Sequence, residues 1–302
     1  MRIAYDPKLL EEVVFGEARG NSSLMDEYRR AVEPLYEQSG EREAGYARVH
    51  LDLFEKWGFG DRLGDALREF PVLEEKLEKI SIFRTASKKD ERADLTGNVK
   101  AVGLRIMPSR FFDPQGMSRF LRHELTHISD MLDDDFGYRN ERVGRSPGEE
   151  YSIISRYGVL WDMYIDGRLS SLGKETERGK MERLQEFSLA FPILSHAQKL
   201  SGSERIWGGV GLTHDDLLSM AREPAKVLGA DVEVPQDLKG VMIPGSPCPL
   251  CRFPAHDWGD LSDRGDDDRL MELIREDFPQ WEHNDGICER CLELYDLKVG
   301  VR

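Results

Sequence analysis

One stretch constrains this chain more than any other: Met117-Ser-Arg-Phe-Leu-Arg-His-Glu-Leu-Thr-His-Ile-Ser-Asp-Met-Leu132. Leu121, Leu125, Ile128 and Leu132 recur at helical spacing, which predicts a helix with one face packed on a core. Asp113-Pro114 offers it an N-cap and a first-turn proline. His123 and His127 then share a face about one turn apart, so both imidazoles can converge on one cation. Glu124 adjoins the first imidazole and can reach a water on that cation without ligating it. Two nitrogen ligands, an open position and a carboxylate to take a proton suit zinc.

His123-Glu-Leu-Thr-His127 is H-E-x-x-H, and in its helical setting it resembles the defining helix of the zincin metallopeptidases. The resemblance covers five residues and their surroundings. It implies that His123 and His127 bind zinc and that Glu124 is the general base.

A third ligand is expected downstream. Ser146-Pro147-Gly148-Glu149 reads as a capping box with proline at the first helical position, opening a helix from Pro147 to about Leu172. Inside it, Asp162 and Asp166 lie four apart in the otherwise apolar run Val159–Leu169. A carboxylate there is costly unless it is paired or bound to metal. One carboxylate beside two imidazoles is a common catalytic zinc set, so Asp162 is the expected ligand. Asp166 is then the second acid, hydrogen-bonded to a ligand His, with the exchange of roles left open. In zincins with an acidic third ligand, that residue also comes from a second helix, although the familiar version begins with Glu. The rival reading is an ion pair, for instance of Asp166 with Arg168 or Arg122. Asp133 echoes a metzincin-type third ligand. With Asp130 in place of a helix-breaking glycine, it would sit about 9 Å along the axis from His127, too far to ligate.

Around this centre the chain reads as α+β, mostly α. Residues 1–80 carry helix-spaced apolar runs that predict three to five helices, with His50 as a packed core histidine. Ile80–Ala86 and Val99–Met107 alternate like strands, and the polar Ser87–Asn98 reads as a long hairpin loop between them. The expected element is small and antiparallel, with the strand at 99–107 holding an extended peptide along the cleft, as the zincin resemblance implies. Residues 81–223 form the expected zincin-like core. Pro192 marks a break, Thr213 an N-cap, and Gly208–Gly211 a loop. His196, His214, Tyr157 and Tyr164 are the candidates to stabilise an oxyanion. Residues 224–246, rich in Pro and Gly, read as a connector.

Residues 247–302 hold all four cysteines as Cys248-Pro-Leu-Cys251 and Cys288-Glu-Arg-Cys291. Two C-x-x-C pairs predict a closed tetrahedral zinc site that is structural, resembling a zinc ribbon with a long insertion. From Ser246 to Arg302 there are 14 acidic and 7 basic residues, a net of −7, and the whole chain carries −15. That sign opposes nucleic-acid binding and leaves a protein partner as the use of the module. Phe253, Trp258, Phe278 and Trp281 either form its partner surface or fill its core. No apolar run approaches the ~20 residues of a membrane span, and the N-terminus lacks an apolar signal core. Paired thiolates suit a reducing compartment, so the expected location is cytoplasmic. The expected function is a zinc-dependent metallopeptidase acting on a peptide or protein, with one catalytic and one structural Zn2+. The alternatives are a non-catalytic adaptor whose metal site both aspartates close, and a metal-dependent hydrolase of a non-peptide bond.

Overall fold

Apolar residues at helical spacing on both sides of two short strand-forming runs must bury their faces together, and the resulting core governs the first part of the chain. The computed structural model describes residues 1–36, 42–96, 100–144, 147–229, 246–255, 257–259, 261, 268–281 and 283–301. These fall into two compact units. The first is Met1–Tyr138 with Leu169–Glu177, and the second is Arg139–Arg168 with Arg178–Arg302.

The first unit opens with β1 (Arg2–Tyr5) and continues through α1 (Pro7–Gly20), α2 (Ser22–Tyr36), α3 (Arg42–Lys56), α4 (Phe59–Arg68) and α5 (Pro71–Lys76). Five helices is the upper end of the expected range. His50 on α3 is buried and stacked on Tyr28 with ring centroids 5.9 Å apart, a core histidine as read. Burial lowers its pKa from the ordinary imidazole value. Then follow β2 (Lys79–Arg84), β3 (Arg92–Thr96), β4 (Ala101–Ile106) and α6 (Pro114–Leu132). Strands contribute Ile80, Ile82, Val102, Leu104 and Ile106 to the core, and α6 contributes Met117, Phe120, Leu121, Leu125 and Ile128.

The sheet corrects the hairpin expectation. Its order is β1-β2-β4-β3, and β2 pairs with both β1 and β4 in parallel. Only β3 and β4 are antiparallel, in the register Ala93 to Leu104. The sheet is therefore mixed rather than a small antiparallel element. Part of the segment read as loop, Arg92–Thr96, is the edge strand. The strand expected to hold substrate, β4, has a neighbour on each side and no open edge to offer.

One guanidinium ties this corner together. Arg110, in the short 3-10 turn Pro108–Phe112, donates from Nη2 to Glu91 and Glu177 at 2.9 Å each, and from Nη1 to the Gly116 carbonyl at 3.0 Å. Glu91 also accepts the Met107 amide at 3.0 Å. The entry of β3, the exit of β4 and the first turn of α6 thus share one ion-pair network. Burial works against the charge on Arg110, but Glu91 and Glu177 outweigh it and hold its pKa above the ordinary value.

The second unit holds most of α7 (Pro147–Ser171), then α8 (Lys180–Ala190), α9 (His196–Trp207) and α10 (His214–Arg222). Ser146 and most of the expected connector lie outside the described residues. Pro192 falls in the break between α8 and α9, and Thr213 caps α10 by accepting the Asp216 amide at 3.2 Å. Gly167 lets α7 and α9 touch: a Cβ there would sit 2.0 Å from the Trp207 carbonyl oxygen. No described helix is long and apolar enough to cross a membrane.

Glu91 is only 2 % exposed, so Arg110→Met strands a buried carboxylate and should cost about 3–5 kcal/mol in urea unfolding with zinc saturating. A loss below about 1 kcal/mol would mean that the network acts as a surface pair.

Candidate metal centres

Helix α6 begins where Asp113 accepts the Gly116 amide at 2.9 Å and Pro114 opens the first turn. It ends at Leu132, where Lys76 donates from Nζ to the Leu132 carbonyl at 2.5 Å. Arg122 grips Glu69 through both Nε and Nη2, at 2.9–3.0 Å. Between these ties, His123 is buried and His127 half-buried, with ring centroids 4.9 Å apart and planes at 77°. The two imidazoles therefore face a common space, as the four-residue spacing implies.

Glu124 leaves the helix in another direction. Its Oε2 accepts the main-chain amide of Ala93 at 2.6 Å. Successive residues of a strand turn their main-chain groups to opposite sides, so Ala93 and Leu95 present theirs to the open edge of β3. This contact links the carboxylate beside the first His to β3, an edge strand of the sheet. The sequence missed it because charged Arg92 and Asp94 mask the alternation of Ala93 and Leu95.

On α7, Asp162 and Asp166 share a partner that the sequence did not single out. Arg183 on α8 donates from Nε to Asp166 at 2.6 Å and from Nη1 to Asp162 at 2.9 Å and Glu186 at 2.8 Å. The Arg183 side chain is 3 % exposed and that of Asp166 0 %. Burial pulls the Arg183 pKa down, but the three acids more than offset it and hold the group above its ordinary value. The expected arginine partners were Arg168 and Arg122. The signal that remained visible was the cost of two acids in an apolar run.

His123, His127 and Asp162 each offer one ligand atom, and these atoms lie within 4.8 Å of one another. Bonds of about 2.0–2.2 Å to a tetrahedral zinc would set such atoms roughly 3.3–3.5 Å apart. Two imidazole nitrogens and one carboxylate oxygen match the chemistry of the ion. Asp133 is the C-cap of α6, its amide bonded to the Asp130 carbonyl at 3.1 Å. It is not in the donor group found among the described residues.

The oxyanion candidates have structural contacts. Tyr157 meets His214 Nδ1 at 2.7 Å, and Tyr164 accepts the Leu212 amide at 3.1 Å. Burial, with Arg139 adding to it, lowers the His214 pKa. His196 stands exposed at the start of α9.

The four cysteines form a second group, their sulfurs also within 4.8 Å of one another. Zinc–sulfur bonds of about 2.3 Å would set tetrahedral sulfurs about 3.8 Å apart, and Cys251 and Cys288 are 3.8 Å apart. The first pair sits in a turn where β5 (Ser246–Pro247) pairs with β6 (Pro254–Ala255). Arg252 there takes a positive φ of 64°. The second pair opens α12 (Glu289–Val301), where the helix N-terminus favours thiolates. One half of the site is thus a short β turn and the other a helix start. Burial and the neighbouring thiols push the Cys291 pKa up, so full deprotonation of the set calls for a cation in its midst.

Around the cysteines, Leu270 and Ile274 of α11 (Asp268–Asp277), Leu292 of α12 and Ile287 just before it pack into a small core. Trp281 is buried in it, and Trp258 and Phe278 pack against it. Phe253 alone of the four aromatics is clearly outside, 66 % exposed.

Both groups can hold metal ions. Comparison with protein-family models, with curated proteins and with solved structures finds no match.

The protein purified with zinc should carry two ions per chain by elemental analysis. His127→Ala should lower this to one. Cys291→Ser should also release one and loosen the C-terminal module, seen as faster hydrogen exchange over 246–301. Unchanged stoichiometry in either variant would remove that donor set from consideration.

Proposed function

We propose that this chain is a zinc-dependent metallopeptidase. The observation that carries the reading is the grouping of His123, His127 and Asp162 next to Glu124, whose carboxylate is anchored on the edge strand β3. His123, His127 and Asp162 would hold the ion, leaving a position for solvent. Zinc held there supplies Lewis acidity, polarising a carbonyl and lowering the pKa of a water toward ~7.

The chain's own residues do the rest. Glu124, fixed through Oε2 by the Ala93 amide, takes the proton of the attacking water and passes it to the departing amine. The bond to a main-chain amide holds the carboxylate in one rotamer. The outer edge of β3, where Glu124 already takes the Ala93 amide, leaves the main chain of Leu95 to bind an extended peptide by hydrogen bonds. This role falls to β3 in place of β4. The cysteine module, the ribbon of the zincin-with-ribbon reading, holds a structural zinc and serves as a site for a protein partner. Its acidic balance suits that better than nucleic acid.

Glu124→Gln tests the assignment. The variant should keep two zincs per chain and lose roughly 10²–10⁴-fold in hydrolysis of a mixed peptide substrate. Undiminished hydrolysis would reject the role of Glu124. A fully metallated wild-type protein that leaves a broad peptide mixture uncut would reject the peptidase itself.

A further inference from the structure

Strand β3 separates its apolar and polar residues onto opposite faces. Ala93 lies in the core and Leu95 packs against it, so Arg92, Asp94 and Thr96 turn to the outer face of the sheet. In the antiparallel register, Arg92 stands directly across from Arg105 of β4. Two like charges opposed across a ladder repel, so this pair needs a counter-charge. Asp94 supplies it. Arg92 donates from Nε and Arg105 from Nη1 to the same oxygen, Asp94 Oδ2, at 2.8 and 2.9 Å.

One acid shared by two arginines leaves a net of +1 on this part of the face. Among the described residues, Asp94 is the only acid in an ion pair with either arginine. On the far side of Arg105, β2 presents half-exposed Phe83 rather than a second acid. The turn leading into β3 adds exposed Lys88 and Lys89 against exposed Asp90, while Glu91 is held by Arg110. The Arg92 and Arg105 side chains are 58 % and 43 % exposed, so both guanidiniums are open to a further acceptor. A positive strand edge runs against the trend of a chain that carries −15.

We propose that Arg92, backed by Arg105, makes the outer edge of β3 selective for a peptide with an acidic side chain. The inference rests on the reading of β3 as the strand that takes the substrate. A peptide laid beside β3 and bonded at Leu95 turns every second side chain to the outer face, continuing the row that Arg105 and Arg92 begin. A Glu across from Arg92 meets a guanidinium that shares its one acid, whereas a Lys there is a third positive charge in the row. The net charge of the whole chain opposes an acidic peptide at long range. At ~0.15 M salt such fields are screened beyond about 8 Å, so the nearby arginines decide. Charges that served only to deter pairing with stray strands would give no single preferred position for an acid.

The test uses zinc-loaded full-length protein and peptides that differ in one residue, Glu, Gln or Lys, placed at each position in turn. Cleavage is followed in wild type, and affinity by fluorescence anisotropy in Glu124→Gln, which separates binding from hydrolysis. At one position Glu should be favoured over Lys by roughly fivefold in both kcat/KM and affinity. Arg92→Glu should reverse that order at the same position, and Arg92→Gln should reduce it. An equal response to Glu and Lys at every position, or the same preference in Arg92→Glu, would overturn the inference. A wild-type protein that cuts no peptide, while Glu124→Gln still binds the Glu peptide best and loses that preference with Arg92→Glu added, would instead overturn the peptidase reading and leave the selectivity of the edge standing.

Discussion

Two imidazoles one turn apart can share an ion only if the helix that bears them does not roll. A shift of a single residue turns a helical face by 100°. Helix α6 is held against this from several directions. Its apolar stripe, with Leu121, Leu125 and Ile128, lies in the main core of the first unit. Arg122 is clamped to Glu69, and Lys76 closes the C-terminal end at the Leu132 carbonyl. Asp113 and Arg110 fix the first turn through Gly116. The stripe supplies most of the burial free energy. The polar ties add less energy, but they select one rotation of the helix, and the donor geometry depends on that rotation.

What was legible in the sequence follows the range of the interactions. Helix α6 was legible because its cap, stripe and ligand spacing all lie within twenty consecutive residues. The same holds for α7, for the Thr213 cap and for each cysteine pair. The sheet was less legible. Parallel pairing of β1, β2 and β4 is set by distant partners, and β1 is only four residues long. Strand β3 was hidden by Arg92 and Asp94, whose charges pair with each other, Asp94 also reaching Arg105 across on β4. Cysteine spacing identified a cluster that could bind a metal but not the backbone around it, since a helix start and a β turn can each present two sulfurs. For Asp162 and Asp166 the need for a partner was legible and its identity was not, because Arg183 sits on the next helix.

A chain with a formal charge of −15 has more carboxylates than cations, and two of its sheltered arginines each gather several of them. Arg110 collects Glu91 and Glu177, and Arg183 collects Asp162, Asp166 and Glu186. A lysine would serve neither place well. Its single ammonium lacks the fork that meets two acids at fixed angles. The two networks nevertheless do different work. Around Arg110 every carboxylate is consumed in holding backbone segments together. Around Arg183 one of the acids, Asp162, also belongs to a group of side chains that could hold a metal ion.

Under the proposed function, the bond between Glu124 and Ala93 would couple two tasks usually assigned to separate parts of a hydrolytic site. A proton carrier must stand within about 3 Å of the atoms it serves, and an extended substrate must be held along a strand at a fixed register. Here the carboxylate is fastened to the strand itself. Any shift of β3 therefore carries the carboxylate with it or breaks a short charge-assisted bond. The strand is in turn anchored at its entry by Glu91 and along its length by β4. Under the proposed function, a substrate bound on that edge would find its register and its proton carrier set by one piece of backbone.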